Sequence, residues 1–180
     1  MRLSAVDHLL QDGEWTKEPD WCWAPRDHPA SPKCVVEVGV SESTPHLVNS
    51  ARAWIENRGS TVEFVVTIRI PNPSYSNTIT IEVWAPGDRS NRYGFRNCRP
   101  RTALREQFIE ITRPHGGVTT LTGFREHPTP TSINQLRLDS NLFIGRSSDN
   151  SPVRDIVLDQ NTLLEFADEF FYSHEHDEQV

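Results

Sequence analysis

A glutamate stands inside the run Cys34-Val35-Val36-Glu37-Val38-Gly39-Val40, and its placement constrains the fold more than any other feature of the chain. Valines on both sides of the acid predict a strand covered on both faces. A carboxylate in such a strand is costly to bury unless a cation or a metal stands beside it. A helix signal follows at once. Thr44 is placed as N-cap and Pro45 at N1, where its missing N–H costs nothing. Leu47, Ala51, Trp54, Ile55 and the stem of Arg58 then recur at helical spacing, and Gly59 closes the helix.

The neighbouring segments extend this into an α/β layout. Trp21 to Ala24 reads as a short strand, and Pro25, Pro29 and Pro32 impose a loop after it. Thr61–Ile70 and Thr78–Trp84 both alternate with period two and are expected to pair as an antiparallel hairpin, with Glu82 on its outer face. Gln107–Thr112 and Val118–Gly123 read as strands around a His115-Gly116-Gly117 turn. Residues 125–132 read as a proline-threonine loop. Leu136–Ile144 and Asp155–Leu158 are further extended pieces. Asp159 caps a final helix whose stripe is Leu163, Leu164, Ala167, Phe170 and Phe171, with residues 173–180 expected to fray. Ser4 to Leu10 has the pattern of a helical turn or two.

A length of 180 residues predicts a single domain, 1–180, with a core that needs no staples. No apolar run approaches the roughly 18 residues of a membrane span, and the N-terminus lacks a signal-peptide core. The odd count of 3 cysteines, with no Cys-x-x-Cys pair, predicts free thiols and an intracellular setting, cytoplasm or nucleus. Cys22, His28, Cys34 and Cys98 match no compact zinc spacing. The net charge of −7 argues against a general nucleic-acid coat. Yet Arg89 to Arg105 holds six arginines, Tyr93 and Phe95, and no acid. That mix suits phosphate contact and base stacking, and equally suits a basic loop balancing an acidic protein.

Asp20 of the Pro19-Asp20 step and Glu37 are thus acids on two successive strands. With Val35-Val36-Glu37-Val38-Gly39-Val40-Ser41-Glu42-Ser43, Ala51-Arg52-Ala53-Trp54-Ile55-Glu56-Asn57, Ile79-Thr80-Ile81-Glu82-Val83-Trp84 and the late Leu142-Phe143-Ile144-Gly145-Arg146, the chain resembles the restriction-endonuclease-like PD-(D/E)XK superfamily, in its uncharacterised fungal-type branch. Residues 19–84 carry most of the likeness, with a looser echo over 142–171.

The resemblance implies a central mixed β-sheet flanked by helices and a Mg²⁺-dependent nuclease acting on nucleic-acid phosphodiesters. Asp20 and Glu37 would hold the metal, since hard divalent cations take carboxylate oxygens. A lysine two residues after the second acid would share its strand face and stabilise charge. This chain departs there. Position 39 is glycine, and the only lysines are Lys17 and Lys33. Arg52 on the helix and Arg69 on the next strand are the candidate basic partners, although arginine is a poor proton shuttle. Glu14 or Glu18 would stand in for an acid of the family's N-terminal helix. Arg92, Arg96 and Arg101 would touch the substrate backbone. The gap at Gly39 leaves a second reading open: a catalytically degenerate member of the same fold that acts as a binding or scaffold module.

Overall fold

A computed structural model describes residues 17–26, 28–70, 72, 77–88, 101–114, 117–126, 130–140 and 154–177. Valine-rich and alternating segments build one sheet of seven strands in sequential order. These are β1 (Trp21–Trp23), β2 (Cys34–Val40), β3 (Phe64–Ile70), β4 (Thr78–Asp88), β5 (Arg101–Thr112), β6 (Thr120–Arg125) and β7 (Thr131–Ser132). Among these described strands β2 and β3 are parallel, and the other neighbouring pairs are antiparallel. Parallel neighbours need a crossover, and helix α1 (Thr44–Glu56) supplies it. A second, two-stranded sheet joins β8 (Leu136–Leu138) to β9 (Ile156–Leu158), and helix α2 runs from Gln160 to Asp177.

The sheet is covered on both faces, which gives a mixed α/β architecture in layers. On one face Val35, Val65, Trp84 and Ala103 pack against Ala51, Trp54 and Ile55 of α1. On the other, Phe64, Val66, Ile79, Ile81, Val83, Ile109 and Ile111 meet Leu163, Ala167 and Phe171 of α2 and Leu136 of β8. Alternation along each strand sends successive side chains to these two cores. Among the described residues no helix is long and apolar enough to cross a membrane.

Local signals place most elements correctly, with several differences. Ser43 takes the N-cap position of α1 with no side-chain cap bond, so Pro45 falls one place further into the helix. The helix ends at Glu56, and Gly59 adopts φ +84° in the turn that follows, a conformation that favours glycine. β5 starts at Arg101, six residues before the expected Gln107, so part of the arginine-rich stretch is strand. The expected loop 125–132 instead contains the end of β6 and the two residues of β7. Among the described residues of the expected strand 136–144, Leu136–Leu138 form the strand, and residues 141–153 lie outside the described residues. Asp159 caps α2 as expected, its Oδ1 accepting the Thr162 N–H at 2.9 Å. The helix continues to Asp177 through the stretch expected to fray. The expected N-terminal turn, Glu14 and the 115–116 turn also lie outside the described residues.

Candidate functional site

Asp20 and Glu37 lie toward the end of the sheet where β1 stops and β2 continues, and the expected basic residues lie elsewhere. The β1–β2 pairs are Trp21↔Val36, Cys22↔Val35 and Trp23↔Cys34. Asp20 lies one residue beyond the last pair, and Pro19 before it has no N–H to extend the ladder. Beyond the ladder the Asp20 carboxylate serves as an acceptor: its Oδ2 accepts the Val38 N–H at 2.7 Å, and the residue is exposed.

Glu37 points to the α1 face and is 7 % exposed. Both of its oxygens are engaged. Trp54 of α1 donates its indole N–H to Oε1 at 2.5 Å, and Lys17 donates to Oε2 at 2.7 Å. The Lys17 ammonium also lies 5.9 Å from the centre of a Trp54 ring, within cation–π range. Sequence reading misses Lys17 because it is 20 residues from Glu37 and sits on no strand. The signal that could find it is the rule that a carboxylate buried in a strand needs a cation, applied to a chain with two lysines.

Register explains why the site extends sideways. Glu37 pairs with Thr67, Thr67 with Glu82, Glu82 with Phe108 and Phe108 with Phe124, so one row of side chains crosses five strands on the α1 face. Two strand spacings put the Glu37 and Glu82 backbones about 10 Å apart. Glu82, expected on an exposed face, is 4 % exposed, and Thr67 and Arg105 bond its carboxylate while Trp84 bonds Thr67 beside it. Arg105 donates from Nη1 to Glu82 Oε1 at 2.6 Å and also bonds Glu126. Its guanidinium lies 5.0 Å from the Phe108 ring centre, and Phe108 stacks on Phe124 at 5.0 Å. Burial works against the Arg105 charge, and the bonds to Glu126 and Glu82 outweigh it, holding the group above its ordinary range.

The expected basic partners are placed as follows. Arg52 is on the exposed side of α1 and pairs within the helix with Glu56, 3.2 Å away. Arg69 is in register with Gly39, one row beyond Glu37, and donates to Thr80 Oγ1 at 3.1 Å. Arg101 is a structural clamp: it donates to the carbonyls of Ser60 at 2.7 Å and Val62 at 2.5 Å and pairs with Glu63. Arg92 and Arg96 lie outside the described residues. Cys22 and Cys34 are buried thiols, and burial, reinforced by Cys22, pushes Cys34 up to about 12.

Asp20 and Glu37 are both engaged within the chain. An ammonium already occupies the charge-balancing position at Glu37, and the other oxygen is spent on Trp54. Asp20 has one oxygen committed to the backbone. The space beside Gly39 is tight. A Cβ there would lie 3.0 Å from both the Glu42 Cβ and the Leu47 Cδ1, so these neighbours would have to shift by a few tenths of an ångström. The Glu42 Oε2 lies 2.6 Å from His46 Nδ1. Among the described residues no group of three or more His, Cys, Asp or Glu side chains is arranged to hold a metal. Comparison with family models, curated proteins and solved structures finds no match.

Proposed function

We propose that this chain is a nuclease-like α/β domain that does not hydrolyse phosphodiesters and works as a binding or scaffold module. One observation carries the reading: both oxygens of Glu37 are satisfied by Lys17 and Trp54 of the same chain. The nuclease-like part is supported by the order strand, strand, helix, strand, strand, with Asp20 immediately before the first strand and Glu37 within the second. The non-hydrolytic part is supported by the tight space at Gly39 and by Arg52 pairing with Glu56. The arginines of 89–105 make nucleic acid one partner class for such a module, although Arg101 is used inside the fold.

A specific observation favours a second reading. Lys17 brings to Glu37 the kind of side chain that position 39 lacks, and Asp20 bonds the backbone of Val38, the next residue. A Mg²⁺-dependent nuclease would use that set. Supercoiled DNA, single-stranded DNA and RNA incubated with Mg²⁺ or Mn²⁺ separate the two. The expected result is no cleavage above background for wild type, Asp20→Ala or Glu37→Ala. Cleavage by wild type that disappears in both variants establishes the nuclease and ends the scaffold reading.

A further inference from the structure

A carboxylate this deeply buried must be balanced, because desolvation penalises the ion far more than a neutral group. A divalent cation is one way to balance Glu37; an internal ammonium is another. The Lys17 Nζ lies 2.7 Å from Oε2, and the paired side chains are 22 % and 9 % exposed. Trp54 serves both charges at once, its N–H on the carboxylate and its ring face near the ammonium. The same solution recurs two strands away, where the Arg105 guanidinium balances Glu82.

We propose that Lys17 is an intramolecular substitute for a divalent cation at Glu37, so that this corner of the sheet binds a metal only when Lys17 is removed. The proposal rests on the reading above that Glu37 is closed to metal in the native chain. It goes beyond that reading by assigning the closure to one residue outside the sheet. Asp20 stands one position past the Trp21↔Val36 pair, and the oxygen not bonded to Val38 is the second donor proposed for the unmasked site. Arg69, in register with Gly39 one row away, is already bonded to Thr80.

The test uses the full chain and Mn²⁺ or Mg²⁺ as probe, read by calorimetric titration and thermal melting. Wild type is expected to bind neither ion saturably at millimolar concentration and to melt identically in EDTA. Lys17→Met keeps the aliphatic stem against Trp54 and loses the charge. It is expected to melt roughly 6–10 °C lower in EDTA and to recover saturably with Mn²⁺. Lys17→Met combined with Glu37→Gln removes both charges, and its melting should not respond to metal. Lys17→Arg should behave as wild type. If Lys17→Met does not fold in EDTA, refolding with Mn²⁺ decides: recovery of the native circular dichroism spectrum supports the proposal, and continued unfolding overturns it. Saturable metal binding by wild type, a Lys17→Met melt equal to wild type, or a lowered melt that Mn²⁺ leaves unchanged each overturn it. Cleavage by wild type would instead sink the non-hydrolytic reading, so the two failures are told apart.

Discussion

Asp20 stands one position past the Trp21↔Val36 pair and Glu37 lies within β2, and their carboxylates meet different surroundings. Asp20 stays at the sheet edge and binds the Val38 N–H, which would otherwise be an open ladder donor. Glu37 turns onto the α1 face and is balanced by Lys17. For Asp20 the consequence is measurable. Asp20→Ala should cost about 1 kcal/mol, since water replaces the lost acceptor at an exposed site, and should speed hydrogen exchange at Val38. Asp20→Asn keeps a carbonyl acceptor and should retain most of that protection. Equal exchange at Val38 in wild type and Asp20→Ala would show that the edge bond contributes nothing. The Pro19-Asp20 step is legible in the sequence as a strand end. The partner of its carboxylate is not, because Val38 is 18 positions away and the bond depends on strand register.

At the scale of elements, caps and periodicities are local and read well, while junctions between elements do not. Asp159 heads α2 because its carboxylate reaches Thr162 within the same turn. The attachment of the small β8–β9 sheet has no such local signal. It depends on a β-bulge: Val83 pairs with Gln107 and Trp84 with Arg105, so Glu106 is an extra residue in β5. Gln107, next to the bulge and 4 % exposed, then acts as a one-residue strand toward β8. Its Nε2 donates to the Arg137 carbonyl at 2.7 Å, and its Oε1 accepts the Arg137 N–H at 3.0 Å. Gln107→Ala leaves both backbone groups without these partners and should cost about 2–3 kcal/mol, with the Arg137 amide losing exchange protection. A urea midpoint unchanged from wild type would mean that β8 is held by its apolar contacts alone. The parallel pairing of β2 and β3, by contrast, follows from the strand–helix–strand order itself.

Across the whole molecule, the α1 face of the sheet carries acids balanced by cations from distant parts of the chain. Arg105 joins Glu82 on β4 to Glu126 just after β6 and lies over the Phe108 ring. Removing it leaves Glu82 buried without its cation, so Arg105→Ala should lose about 3–5 kcal/mol in urea denaturation. Combining it with Glu82→Gln should recover part of that loss, and a double variant no more stable than the single one would show that charge is not the cause. By itself the sequence determined the α/β class, β2 to β4, the helices α1 and α2 and the acid that had to be balanced. Those follow from periodicity, caps and branched side chains, which act over a few residues. Tertiary structure alone decided that Glu37 is balanced by Lys17, that Glu82 is buried and that Arg101 clamps carbonyls. Charge balance in a low-dielectric layer is set by distance in space, and register and helix packing bring together residues that the chain keeps 20 or more positions apart.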